Sequence, residues 1–230
     1  MPIVMTTPFF RPSVISSFLL HCDGTQGSTT FLDSSVNNYT VTNFNNDVYV
    51  STAVKKFGTG SAFFGSQNTD MLTVTNFQTN FFQLSNWTFD CWMNIQGFLT
   101  QGASECPIFS TYGNRIAIRN LGGNTGSFLY NNGTDYASAS FSLSPVYQVW
   151  AHYAAVRSGP NLYLFINGVL KATLTPTFNS SSGQSALYLG NEDSGLSHSG
   201  AWANMDEIRI VKNTAVWTTG FTPPSSAYTS

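Results

Sequence analysis

The chemistry open to this chain rests on a few acidic, imidazole and thiol side chains, because only 9% of its 230 residues are charged, against about a quarter in an average soluble protein. In MDEIRIVK, strand alternation sets Asp206 on the face of Ile208 and Ile210 and leaves Glu207 and Arg209 on the other. A carboxylate that opens an apolar face needs backbone donors or a cation, since desolvating an unpaired charge costs several kcal/mol. His152, in WAHYAAVR, shares a face with Trp150, Ala154 and Val156 and reads as a satisfied buried histidine rather than a general base. His21 adjoins Cys22, but neighbours on a strand point to opposite faces, so they form no thiol–imidazole dyad. The string GLSHSG at residues 195–200 lacks the G-x-S-x-G spacing and strand-to-helix turn of a hydrolase nucleophile, and reads as a loop. Gly58-x-Gly60 lacks the third glycine that phosphate cradling requires and reads as the turn before Ser61. Trp92 projects from the face opposite Trp87 and Phe89, where it can stack on a ligand, anchor a protein interface or lie beneath a loop. Trp202 and Trp217 pose the same question.

The elements that must position these groups are strands. From Ser17 onward, short runs rich in Val, Ile, Thr, Phe and Tyr alternate with Gly, Asn and Ser clusters, with no sustained 3.6-residue period. The clearest period of two is NWTFDCWMNIQ at residues 86–96. It puts Trp87, Phe89, Cys91, Met93 and Ile95 in the core and Thr88, Asp90, Trp92 and Asn94 on the other face. Residues 150–157 and 161–166 predict paired strands, and Asn167-Gly168 then turns the chain into residues 169–174, a strong hairpin signal. Residues 77–84 predict one helical capping turn. The string TVTNF, at residues 40–44 and 73–77, predicts two similar strands rather than a repeat period. With 42% hydrophobic and 15% aromatic residues, the chain has material for one large core between two sheets. The expected organisation is a proline-interrupted arm at 1–16, one antiparallel sandwich at 17–222 and an extended tail at 223–230.

A net charge of −2 and a pI near 5.8 provide none of the clustered Lys and Arg that nucleic acid requires. Cys22, Cys91 and Cys106 lack metal or redox spacing and are expected as free thiols. The first residues carry no basic leader and no run of membrane-spanning length, so neither a signal peptide nor an anchor is expected. The N-x-S/T sequons at Asn38, Asn86, Asn132 and Asn179 read as a by-product of an Asn- and Thr-rich chain.

The ordered segments LLHCDG (19–24), FLDSS (31–35), KFGTGSAFF (56–64), NWTFDCWMN (86–94), VWAHYAAVR (149–157), YLFINGVL (163–170), LYLGN (187–191) and MDEIRIVKNTAVWTTGFTPP (205–224) carry a likeness over nearly the whole chain. Together they resemble the laminin-G-like, concanavalin-A-like jelly-roll superfamily. The resemblance implies a two-sheet antiparallel sandwich serving as a carbohydrate- or protein-binding module. The closing strand followed by an aromatic segment and FTPP looks like that of tailed-bacteriophage virion proteins.

That narrower likeness implies a non-catalytic virion surface protein, a capsid decoration or fibre component. It would be assembled in a host cytoplasm and held in an oligomer or larger assembly by its arm and tail. The alternative is a lectin-like module that binds surface glycans through Trp92, with Asp90 and Asn94 beside it, or through loop aromatics. Related folds also hold Ca²⁺ near the closing strand, which would make Asp206 a ligand with Asp23 and Asp33 beside it, since Ca²⁺ takes six to eight oxygens. The competing reading makes Asp206 an amide cap and the other two turn residues. Glycosidases of this fold set paired carboxylates on alternate residues of one strand; here Asp90 has no such partner, and no enzyme is expected.

Overall fold

The computed structural model describes residues 14–65, 69–77, 80–98, 105–111, 113–133, 136–178, 186–191 and 200–229. Most of the expected arm (1–13) and of the 195–200 loop lies outside them. Among the described residues the strands are β1 (Phe18–Leu20), β2 (Val41–Asn43), β3 (Tyr49–Ser51), β4 (Ser61–Gly65), β5 (Leu72–Val74), β6 (Asn86–Gly97), β7 (Glu105–Thr111), β8 (Asn114–Gly122), β9 (Thr125–Asn131), β10 (Tyr136–Ser142), β11 (Ala151–Ser158), β12 (Asn161–Ile166), β13 (Val169–Leu174), β14 (Leu187–Leu189) and β15 (Trp202–Lys212). One sheet runs β13-β12-β11-β6-β15-β4-β3, with β1 also paired to β15, and the second runs β10-β9-β8-β7-β14-β5-β2. Every pairing within the sheets is antiparallel. The all-β two-sheet sandwich expected from alternation is therefore the observed fold.

The register follows from where the apolar side chains must go. Trp87, Phe89, Cys91, Met93 and Ile95 of β6 all enter the core between the sheets. There Phe89 stacks on Phe109 of the second sheet at 4.0 Å, and Phe82 lies parallel to the same ring at 5.3 Å. The β12–β13 turn has positive φ at both Asn167 (51°) and Gly168 (73°), the geometry that Asn-Gly favours because it matches strand twist. The repeated TVTNF strings become β2 and β5, which pair with each other, Thr42 opposite Thr73. The expected helical turn is a short 3₁₀ turn at Phe81–Gln83. All three cysteines are free and buried, and burial pushes the Cys106 thiol up to about 12.

One expectation is corrected. Strand alternation set Asp206 on the apolar face, but the pairing of β15 with β6 slips between Asp206 and Arg209. Asp206 opposes Trp92, whereas Arg209, three residues on, opposes Asp90, only two residues back. The extra residue is a β-bulge, marked by a positive φ of 51° at Glu207. Directly opposed residues share a face, so Met205 and Ile208 both reach the core while Asp206 and Arg209 face outward beside Trp92 and Asp90.

The chain after β15, including the tail expected at 223–230, runs back over the outer face of the first sheet. The Val216 amide donates to Thr88 Oγ1, which donates to the Thr214 carbonyl, and the Phe221 amide donates to the Gly168 carbonyl. The Trp217 and Phe221 rings stack at 3.9 Å; Trp217 packs on Ala154, Val156 and Phe165 as one apolar cluster, with Phe221 against it. This aromatic segment is held by its own domain.

Candidate functional site

The residues singled out as a ligand-facing set, Asp90, Trp92 and Asn94, do share the outer face of the first sheet, but the structure covers them. Asp90 is completely buried. Its carboxylate accepts from Arg209 Nε at 2.9 Å and from the Tyr228 hydroxyl, and lies 3.2 Å from His152 Nε2. Burial opposes its ionisation, yet the Arg209 charge and the His152 and Tyr228 hydrogen bonds hold it below the usual carboxylate range. Arg209 lies over the Tyr228 ring at 3.8 Å, and the Tyr228 amide donates to Glu207 Oε2 at 2.7 Å. Glu207 Oε1 in turn meets His21 Nδ1 at 2.8 Å. Trp92 is 7% exposed beneath Lys56, whose ammonium sits 3.9 Å above its ring, and beside Phe57. These groups form a network that ties tail to sheet, and Trp92 presents no free ring face to a ligand. His152 is buried and faces the tail rather than the space between the sheets; its Nε2 meets Asp90, but its Nδ1 has no hydrogen-bond partner, so it is only half satisfied.

Of the three aspartates proposed for Ca²⁺, Asp33 has both oxygens engaged, Asp23 is held through Oδ1 and Asp206 through Oδ2, and Asp206 Oδ1 is buried without a hydrogen-bond partner. Asp206 Oδ2 accepts from the Lys56 and Phe57 amides at 2.9 and 3.0 Å. Burial still pushes this carboxyl up to about 7. Asp33 accepts from the amides of Leu19, Ser35 and Tyr39 and from Ser35 Oγ, which fills the four acceptor sites of a carboxylate. Asp23 Oδ1 accepts from the Thr59 and Gly60 amides. Among the described residues no three His, Cys, Asp or Glu side chains gather as a metal would need. The N–H donors at these carboxylates are the arrangement of amide caps.

An open site lies elsewhere, at one end of the sandwich where three connections meet. It is a cleft of about 450 Å³ lined by Phe98, Asn120, Gly122, Gly123, Asn124, Leu143, Ser144 and Tyr147. The β8–β9 hairpin turns through Gly122, Gly123 and Asn124, all with positive φ, and its side is bolted to the β10–β11 connection. Asn124 Oδ1 accepts from the Ser144 amide at 2.7 Å, its Nδ2 donates to Ser142 Oγ, and its carbonyl accepts from the Leu143 amide. Tyr147 is 38% exposed, and its hydroxyl donates to the Gln96 carbonyl at 3.2 Å. Its ring runs nearly parallel to Phe98, with centroids 6.4 Å apart. Leu121, on the hairpin, is 51% exposed. A concave surface of this size, with aromatic walls and a few fixed polar groups, is what a small ligand needs.

None of these cleft residues was picked out from sequence, although Gly122-Gly123-Asn124 between apolar runs is a readable hairpin signal. His21 and Asp23 line a separate hollow of about 430 Å³ with Ser28, Thr30 and Leu32. Of the other tryptophans considered as ligand-facing, Trp217 is covered by the tail contacts and Trp202, opposite Gly97, is 40% exposed.

Comparison with known proteins places the chain among concanavalin A-like folds. A laminin G-like family profile, described as the concanavalin A-like lectin/glucanases superfamily, matches residues 64–217. No curated protein sequence matches significantly. Among solved structures, the binding domain of botulinum neurotoxin serotype D is 19% identical with a TM-score of 0.60, covering 85% of this chain and 47% of the toxin domain. A structure of botulinum neurotoxin type C, whose cell entry is described as dependent upon interaction with two ganglioside molecules, is 17% identical with a TM-score of 0.60, covering 87% of this chain and 48% of its own. Domain 4 of the Geobacillus stearothermophilus arabinanase AbnA, solved with arabinotriose, is 16% identical with a TM-score of 0.58, covering 80% of this chain and 87% of that domain. The chain thus spans about half the length of the toxin domains, and the likeness to all three is one of fold.

Proposed function

The chain belongs to the concanavalin A-like lectin/glucanase superfamily, and from that premise we propose that it is a non-catalytic glycan-binding module whose ligand seat is the end cleft. The observation that carries the reading is the cleft itself: a fixed Tyr147 ring, a parallel Phe98 ring and the Asn120, Asn124 and Ser144 side chains around an open concavity. Sugars combine an apolar C–H face with a fringe of hydroxyls, and aromatic rings with neighbouring amides meet both.

The non-catalytic part rests on how the buried acids are engaged. Asp90 is bound by Arg209, His152 and Tyr228. On the second sheet Glu105 is paired with both Arg115 and Arg119. Glycoside hydrolysis needs two carboxyl groups free to act on one bond from opposite sides, and acids so occupied are poor candidates. Glycan binding also stands ahead of virion docking, because the similar structures include a domain solved with arabinotriose and a toxin binding domain. Ca²⁺ has no part in the proposal.

The test is a glycan array probed with the full chain and with Tyr147→Ala. Selective binding that disappears in the variant, with an unchanged melting curve, is the expected outcome. Binding that survives the substitution would move the ligand away from the cleft.

A further inference from the structure

Resting on the glycan-binding reading, we infer that the cleft selects uncharged sugars and rejects acidic ones. The described residues that line it, from Phe98 through Asn120, Asn124 and Ser144 to Tyr147, are all uncharged. Arg119 precedes Asn120 in sequence but points to the other face of its strand, where it pairs with Glu105. A ligand carboxylate or sulfate entering the cleft would shed water and meet no cation among these lining residues, and desolvating an unpaired anion is strongly unfavourable.

What the walls do offer suits a neutral ring. Tyr147 is held at both ends: its hydroxyl by Gln96, its amide by the Leu143 carbonyl at 2.9 Å, and its backbone by a bridge to Ile95 that the Gln148 amide extends. A ring fixed before the ligand arrives loses little entropy on binding, and its face can receive the C–H side of a pyranose or furanose. Asn120 Oδ1 already accepts from the Gly122 amide at 2.9 Å, which orients the side chain and leaves its NH₂ group to donate to a sugar hydroxyl. Asn124 has both ends of its amide engaged and acts as a positioning residue, holding the hairpin against the β10–β11 connection. With no charge on either side, binding is expected to be indifferent to salt, since screening acts on charges.

The experiment immobilises a panel of neutral oligosaccharides, gluco-, galacto-, manno- and arabino-configured, beside the same chains carrying a terminal sialic acid or a sulfate. Affinities for the full chain are measured at low and high ionic strength. Neutral members should bind, their acidic counterparts at least about tenfold more weakly, with no loss at high salt. Tyr147→Phe should keep binding, because the ring stays, and Tyr147→Ala should lose at least about tenfold. Equal or tighter binding of the acidic chains, or weakening by salt, would overturn the selectivity while leaving glycan binding intact. Failure of every sugar on the panel would overturn the glycan-binding reading itself.

Discussion

Replacing Asp90 with alanine isolates the network that closes the tail over the first sheet. The side chain is fully buried, and its removal leaves Arg209, 6% exposed at the side chain, without its anion. It also frees the Tyr228 hydroxyl and His152 Nε2. Deleting one partner of a buried ion pair costs about 3–5 kcal/mol, because the other charge stays desolvated. For a domain of this size that corresponds to a fall in Tm of roughly 6–20 °C. The double variant Asp90→Ala/Arg209→Met removes both charges and should recover much of the loss, since apolar replacement of a buried pair is often near neutral. Urea titrations of the parent, both single variants and the double variant give the coupling energy directly. A loss below about 1 kcal/mol for Asp90→Ala, the value of an exposed pair, would refute the claim that this face is a sealed structural network.

The remaining expectations concern the tail, pH and calcium. Trp217→Ala removes a ring stacked on Phe221 and should cost about 3–5 kcal/mol. Gly168→Ala should release the tail locally: an added Cβ would come within 1.9 Å of the Phe221 carbonyl oxygen, so hydrogen exchange should quicken around 221–228 while glycan binding persists. Thermal stability should fall between pH 5 and pH 8. Asp206, raised by burial from 3.8 to about 7, is favoured neutral in the fold, so its ionisation destabilises progressively up to pH 7. His21, raised above 6.5 by its Glu207 hydrogen bond, loses its charge pair as pH rises through that value. Asp90 acts in the opposite sense, and its contribution fades only in acid, below 3.8. Calorimetry across this range showing rising stability would contradict those assignments. Ca²⁺ or a chelator should leave Tm unchanged; a calcium-dependent rise lost in Asp206→Asn would revive the metal reading.

The strand frame was legible in the sequence because alternation is a local property. The core face of β6 and the Asn167-Gly168 turn can be read from consecutive residues. The bulge at Glu207 cannot, since a register slip exists only relative to the partner strand, and alternation carried past it put Asp206 on the wrong face. Trp92 was legible as an outward residue but not as a covered one. Its cover comes from Lys56 and Phe57, far back in the chain, and its Asp90 neighbour is bound to Arg209, 119 residues away. The cleft was hidden for the same reason. Phe98, Asn120 and the Leu143–Tyr147 stretch belong to three separate parts of the chain, and only the stacking of strand ends brings them together.

The central claim is that ligand binds at the end cleft and the outer face of the first sheet is structural. Following backbone amide NMR shifts of the full chain during titration with a neutral oligosaccharide tests this most directly. The account predicts shifts concentrated at Phe98, at 120–124 and at 143–148, with 90–94, 152 and 206–209 unmoved. Shifts centred on Asp90, Trp92 and Asn94 instead would contradict it.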